Sequence, residues 1–332
     1  MKSIRHLLAL LAALAPTVGL AQFTDPRPMQ RATDEYMAML FSRSYDRLDD
    51  VARQAREKDL KTTDGQPLLA AIYAGTSGCA CGHPLTRELW ALRKQRLLEW
   101  RKHNSKSITA SLALAMYPLA YGWFERGEGY SNTVSAEAWQ AFKAGAEESR
   151  QALLALDDAA KADPGWFSGM LGVALAQGWE PEEFEPLYKQ AIAKYPDYFP
   201  FHFVAANYYS PRWHGSTEDF RRVVDDATTL TRPRLGETLY ARMNWLMASN
   251  QMFITHQADW PRMKNGFERM TKDYPDPWNV NSFALFACIA GDRSTARSLL
   301  AMIGDKPIAE AWWNDLNFYA ACRRYAEASP SK

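Results

Sequence analysis

The residues best equipped for chemistry are the cysteines. Cys79 and Cys81, with His83 two positions on, spell CACGH in a loop rich in glycine. Alternate spacing on extended backbone aims two thiolates and an imidazole at one soft metal, Cu(I) or zinc. Three ligands are fewer than a structural zinc site uses, so a local Cys79–Cys81 disulfide or redox pair, or a pair of inert thiols, stands beside the metal reading. Cys288 and Cys322 are 34 positions apart and each closes the apolar pattern of its helix. Those helices are two apart in order, the spacing of neighbours in a stacked array, so the expectation is a Cys288–Cys322 disulfide, with a pair of buried thiols as the alternative. In the chain-entropy account a loop of this length stabilises the fold by roughly 3–4 kcal/mol.

Catalytic dyads are not legible. His202, His214 and His256 have no serine elbow or nucleophilic cysteine beside them, and the motifs GxSxG, HExxH, GxxxxGK[ST] and GxGxxG are missing. The acids Glu180, Glu182, Glu183 and Glu185 open a helix after Pro181, where the field of the helix N-terminus accounts for them. No catalytic residue and no cofactor is therefore assigned. The best candidate site is the stretch Tyr195 to Ser216, YPDYFPFHFVAANYYSPRWHGS. On a helix, Phe199, His202, Phe203, Asn207 and Tyr208 share one face, which reads as core or as the lining of a groove. Arg212, Trp213 and His214 beside Gly215 combine a flat cation, an indole and an imidazole. They suit a carboxylate, a peptide end or a sugar ring, or else a loop that pins two repeats together with Arg212 paired to an acid.

The elements that must position these residues are helical. Alanine and leucine are abundant and period-two runs of β-branched residues are nearly absent, while 13% of the chain is aromatic. Apolar spacing predicts a helix from Thr33 or Asp34 through Met37, Leu40, Phe41, Tyr45, Leu48 and Ala52 to Ala55, and a short one over 67–74. A third carries the stripe Leu85, Leu89, Leu92, Arg96 and Trp100. An apolar helix over 107–126 is expected to kink or be interrupted at Pro118, and a long helix follows from Ser135 through Trp139 toward Ala162. Pro164 and Pro196 each start a helix pair and lie 32 residues apart, near the tetratricopeptide period of about 34. Breaks at Pro233 and Pro275 continue the pattern irregularly. A helix pair cannot bury its apolar face alone, so stacked neighbours must supply the core. The expected fold is all-α, a right-handed array of antiparallel helix pairs resembling a tetratricopeptide solenoid.

The opening MKSIRHLLALLAALAPTVGLAQ places Lys2 and Arg5 ahead of an apolar run, the layout of a secretory signal peptide cleaved after Ala21. The expected organisation is a signal at 1–21, an extended segment over 22–33, one helical-repeat domain over 34–327 and a disordered tail over 328–332. The formal charge of +1 offers no electrostatic case for nucleic acid, and nothing after the leader is long and apolar enough to form an integral membrane segment. The expected location is a bacterial periplasm or the exterior.

The motifs FSRSYDRLDDVARQAR, SLALAMYPLAYGWFERGEG, YYSPRWHGS, DWPRMKNGF and FACIAGDRSTARSLLAMIGD, in this order, resemble the bacterial family called domain of unknown function 4034. The resemblance spans roughly residues 36–325 and implies a tetratricopeptide-type helical protein with no established activity. It departs from the family pattern at His214, where glycine is expected after the PRW motif. The function read from this is a protein- or peptide-binding scaffold. The alternative is an exported hydrolase or carbohydrate-active enzyme, recognised by two close carboxylates, one with a raised pKa, in an aromatic cleft. N-terminal sequencing of the exported protein should begin at Gln22; retention of Met1 in the exported form contradicts the leader reading.

Overall fold

Polar caps and prolines set where the helices begin. In the computed structural model, which describes residues 27–78, 86–127, 131–249, 252–255 and 257–328, the side chains of Thr86, Ser107, Ser135, Asp163, Ser216, Asp259, Asp276, Asp292 and Asp315 each accept a backbone N–H of the helix that follows. The first helices are α1 (Pro28–Phe41), α2 (Tyr45–Glu57), α3 (Leu68–Ser77), α4 (Arg87–His103), α5 (Ile108–Arg126) and α6 (Ala136–Leu154). The middle holds α7 (Asp158–Lys161), α8 (Pro164–Gln177), α9 (Pro181–Lys194), α10 (Phe199–Tyr208) and α11 (Thr217–Leu235). The chain closes with α12 (Thr238–Leu246), α13 (Met252–Thr255), α14 (Trp260–Asp273), α15 (Pro277–Ile289), α16 (Arg293–Ile303) and α17 (Leu316–Glu327). The described residues are all-helical, with a single isolated bridge between Lys61 and Pro67. No described helix is long and apolar enough to cross a membrane.

Several boundaries differ from expectation, each for a local reason. Residues 28–33 are helical rather than extended, because Pro28 takes the first helical position, where its missing N–H costs nothing. The single helix expected to reach Ala55 is two, α1 and α2, broken where Arg43 adopts φ of 60°. On α4 the buried face is Trp90, Arg93, Leu97 and Trp100, rotated by one residue from the leucine stripe. The helix after Ser135 stops at Leu154 instead of running toward Ala162. Pro233 lies inside α11, and the break comes at Gly236 with φ of 58°. The leader, the CACGH loop and the last four residues lie outside the described residues.

Pro118 does not end α5. Its ring removes one rung of the helix ladder, and the fully buried Ser149 hydroxyl of α6 accepts the Leu119 N–H at 2.8 Å. Gly145 of α6 makes this possible: a Cβ there would stand 2.4 Å from the Pro118 carbonyl oxygen. Farther on, consecutive helices pack on one another: α8 touches α6, α9 and α10, α11 lies on α12, and α15 on α16.

The N-terminal part does not stay at one end. After α2 the chain makes a tight turn over residues 62–66, and the Asp64 carbonyl accepts Arg242 Nη2 from α12 and, at 3.3 Å, Asn279 Nδ2 from α15. Gly65, at φ of 88°, lies under the Tyr274 ring, where a Cβ would come within 2.5 Å of Cδ2. Thr63 donates to Asp276, and Arg31 approaches the same carboxylate at 3.6 Å. Nearer α8, Arg56 reaches Asp163, Tyr73 and Thr109 together. The turn over residues 62–66 is thus clamped against elements of the C-terminal third, and Arg56 of α2 is tied to the start of α8.

Cys288 and Cys322 lie at disulfide distance, with Cα atoms 5.9 Å apart, tying α15 to α17. Reduction should lower stability by roughly 3 kcal/mol in the chain-entropy account, read as a shift in the urea midpoint. Alkylation of the denatured, unreduced protein should leave both cysteines unlabelled, and labelling of both removes the bridge.

Candidate functional site

The aromatic stretch divides sharply. Within α10, Phe199 is buried and His202 and Tyr208 are fully so, while Phe203 and Asn207 are half-buried. The shared face is mostly core. His202 is held on both sides: Nδ1 lies 2.7 Å from the Tyr188 hydroxyl and Nε2 2.7 Å from the Pro196 carbonyl oxygen. A carbonyl can only accept, so Nε2 carries the proton and Nδ1 accepts from Tyr188. Burial pushes the His202 pKa down to about 4, which keeps the ring neutral and makes it a packing element.

The turn after α10 is built as a junction. The Tyr208 ring stacks on Phe184 at 3.8 Å, and its hydroxyl donates to the Trp179 carbonyl at 2.6 Å. His214 lies 4.9 Å from that ring and faces Gly178, where a Cβ would meet His214 Cε1 at 3.2 Å. At Gly215 a Cβ would fall 2.1 Å from the Tyr209 oxygen, so only glycine fits. Ser216 then opens α11 with a reciprocal capping box to Asp219. His214, Gly215 and Ser216 therefore pin the turn between α8 and α9, the end of α10 and the start of α11.

Arg212 and Trp213 remain outside that junction. Both are exposed, Trp213 at 37%. The acid expected beside Arg212 is not found among the described residues, whereas Trp213 stands edge-on to Trp123 of α5 at 5.8 Å. Trp123 in turn packs on Phe142 at 4.5 Å, as does Trp139 of α6 at 5.8 Å. The Arg126 guanidinium lies 5.4 Å from the Trp123 ring and 5.0 Å from the Trp139 ring. The turn thus extends a half-buried tryptophan and arginine surface on α5 and α6. Trp123 and Trp139 were not singled out in the sequence, because on their helices they continue an ordinary apolar face.

Two clefts adjoin the clamped N-terminal turn. One, of about 410 Å³, is lined by Arg56, Leu60, Asp163, Lys194, Tyr195 and Tyr198 among others. Its polar groups are committed to one another: Tyr73 donates to Asp163 at 2.8 Å and the Gly165 N–H does so at 2.6 Å. Burial, and then the Asp163 charge, hold the Tyr73 phenol well above its ordinary pKa. The other, of about 430 Å³, is lined by Arg27, Asp64, Phe203, Arg242, Trp245 and Trp278 among others. Trp245 and Trp278 lie nearly parallel there, 6.1 Å apart. Arg242 is buried and its pKa is pushed down by desolvation. Its signal in the sequence is a cation inside the apolar run Leu239 to Met243, and Arg93 on α4 carries the same signal between Trp90 and Leu97.

The hydrolase alternative requires two close carboxylates, one with a raised pKa. Hydrogen bonds from Arg53, Arg43 and Arg87 hold Asp50, Glu99 and Glu125 below their ordinary range, Glu99 at about 2. Glu88, Glu137, Glu147 and Asp219 are likewise held down by hydrogen bonds to their charged forms, and in Asp292 the upward push of burial is outweighed by such bonds. The described residues contain no group of three potential metal ligands; Cys79, Cys81, His83 and His256 lie outside them.

The pKa of His202 makes a prediction. Unfolding restores it from about 4 to its ordinary 6.5, so between these values the unfolded state binds more protons. Stability is full above pH 6.5 and falls toward pH 4 by as much as about 3 kcal/mol from this residue. In His202→Asn, thermal unfolding should lose most of that pH slope; an unchanged slope assigns it elsewhere.

Compared with protein-family models, curated proteins and solved structures, the chain matches none.

Proposed function

We propose that the chain is an exported helical-repeat protein that serves as a protein- or peptide-binding scaffold, with Arg212 and Trp213 at the partner-facing surface. The proposal keeps the tetratricopeptide-like array and the resemblance to domain of unknown function 4034 as its frame. The order in which α8, α9, α10 and α11 pack supports a stacked array, and the paired Cys288 and Cys322 suit an oxidising compartment.

The inner helices of such an array would normally offer its groove. In this chain Arg242 and Asn279 are occupied by the protein's own turn over residues 62–66. Partner binding therefore falls to an outer face. The observation that carries the assignment is the exposed Trp213 seated edge-on against Trp123. An indole braced by a second indole has little side-chain freedom to lose on binding, and tryptophan with arginine is the composition of interface hot spots. Trp139 and Arg126 widen the surface so that a folded partner could bury several rings at once.

The double variant Arg212→Ala, Trp213→Ala alters exposed side chains only, and its melting temperature should stay close to that of the parent. Quantitative affinity capture from periplasmic extract by the mature protein should show specific partners that the variant loses or binds at least ~10-fold more weakly. Identical partner lists from a variant that melts normally contradict the assignment.

A further inference from the structure

The cleft of about 430 Å³ between the N-terminal turn and α12 holds a cation that the fold does not pair. Arg242 is only 5% exposed. Its Nη2 donates to the Asp64 carbonyl, its guanidinium lies 5.2 Å from the Phe199 ring, and its Nε has no hydrogen-bond partner. No carboxylate forms an ion pair with it among the described residues. The nearest acid, Asp64, is itself buried, and its two oxygens accept from Thr62 Oγ1 and, at 2.9 Å, from Gln66 Nε2. The Asp64 carboxylate therefore attracts Arg242 without an ion-pair contact, and only the Asp64 carbonyl meets the guanidinium. Arg27, 5.5 Å from the Trp278 ring, adds a second cation to the same cleft. A buried guanidinium without a contacting anion is costly, and a leucine or methionine at this helical position would avoid that cost.

We propose that this cleft is a binding site for a small aromatic monocarboxylate, whose carboxylate meets Arg242 and whose ring lies against Trp245 and Trp278. Two cations against one acid leave the cleft one positive charge in excess, which a single carboxylate neutralises. Guanidinium presents paired N–H donors that match the two oxygens of a carboxylate. The nearly parallel indoles, with Phe203 and Leu246 beside them, supply apolar walls. The volume falls within the range of small-molecule sites, about 300–1,000 Å³. Arg93, the other buried arginine, also has unpaired nitrogens, Nε and Nη1, but it lines neither cleft: Trp90 at 4.8 Å, Phe41 at 5.8 Å and the sulfur of Met37 surround it.

The site is separate from the Trp213 surface, and its test does not depend on that surface. Indole-3-acetate, its neutral amide indole-3-acetamide and the cation tryptamine serve as probes, measured by calorimetry on the mature, disulfide-intact chain. Saturable one-to-one binding of indole-3-acetate is expected, with both other probes at least ~10-fold weaker. Leu246→Trp, at a partly exposed position on the cleft wall, narrows the site while leaving Arg242 untouched. It should weaken indole-3-acetate at least ~10-fold with the melting temperature unchanged. Arg242→Met should lose the preference for acid over amide. Absence of saturable indole-3-acetate binding, equal binding of acid and amide, or full binding by a normally melting Leu246→Trp variant would each overturn the proposal.

Discussion

One backbone oxygen joins an early turn of the chain to its C-terminal third. The Asp64 carbonyl accepts from Arg242 and Asn279, residues 178 and 215 positions later. Its neighbours make the same contact from other directions, Gly65 under Tyr274 and Thr63 on Asp276. A buried carbonyl must be satisfied, and here both donors come from distant helices. Around this turn, α3 packs on α8, and Arg31 of α1 reaches Asp276 at the start of α15. One cleft is lined by Leu60 and Pro67, just outside that turn, and the other by Asp64 and Gln66 within it.

That arrangement shows what local sequence could and could not reveal. Helix positions were legible where a polar cap met an apolar period, as at Ser107 and Ser135, because both signals act within one or two turns. The Cys288–Cys322 pairing was legible for the same reason: two cysteines at the ends of apolar patterns on helices two apart. The contact between Asp64 and Arg242 leaves no comparable trace, since nothing near residue 64 depends on the identity of residue 242. Pro118 is a related case. The expected kink or interruption follows from local sterics; the helix is not interrupted, and Ser149 on another helix accepts the Leu119 N–H.

The candidate site was legible in part, and the division has a physical basis. Aromatic density marked residues 195–216, but density alone does not separate a ring in the core from one at the surface. His202 and Tyr208 turned inward because each finds partners there, the Pro196 and Trp179 carbonyls. Arg212 and Trp213 stayed out because Gly215 and the Ser216 cap fix the turn and leave them no inward direction. Arg242 was missed because a single cation in an apolar run is ambiguous until the fold shows whether an acid meets it.

The central claim is that the turn over residues 62–66 is a fixed part of the core, and hydrogen–deuterium exchange of the native protein tests it most directly. The amides of Thr62, Gly65 and Leu68 are bonded within the turn, to the carbonyls of Gln66, Thr62 and Leu60. If the turn is clamped by α12 and α15, these amides should exchange as slowly as those of α12. Exchange at the rate of an unstructured peptide, with α8 to α16 still protected, would contradict the account.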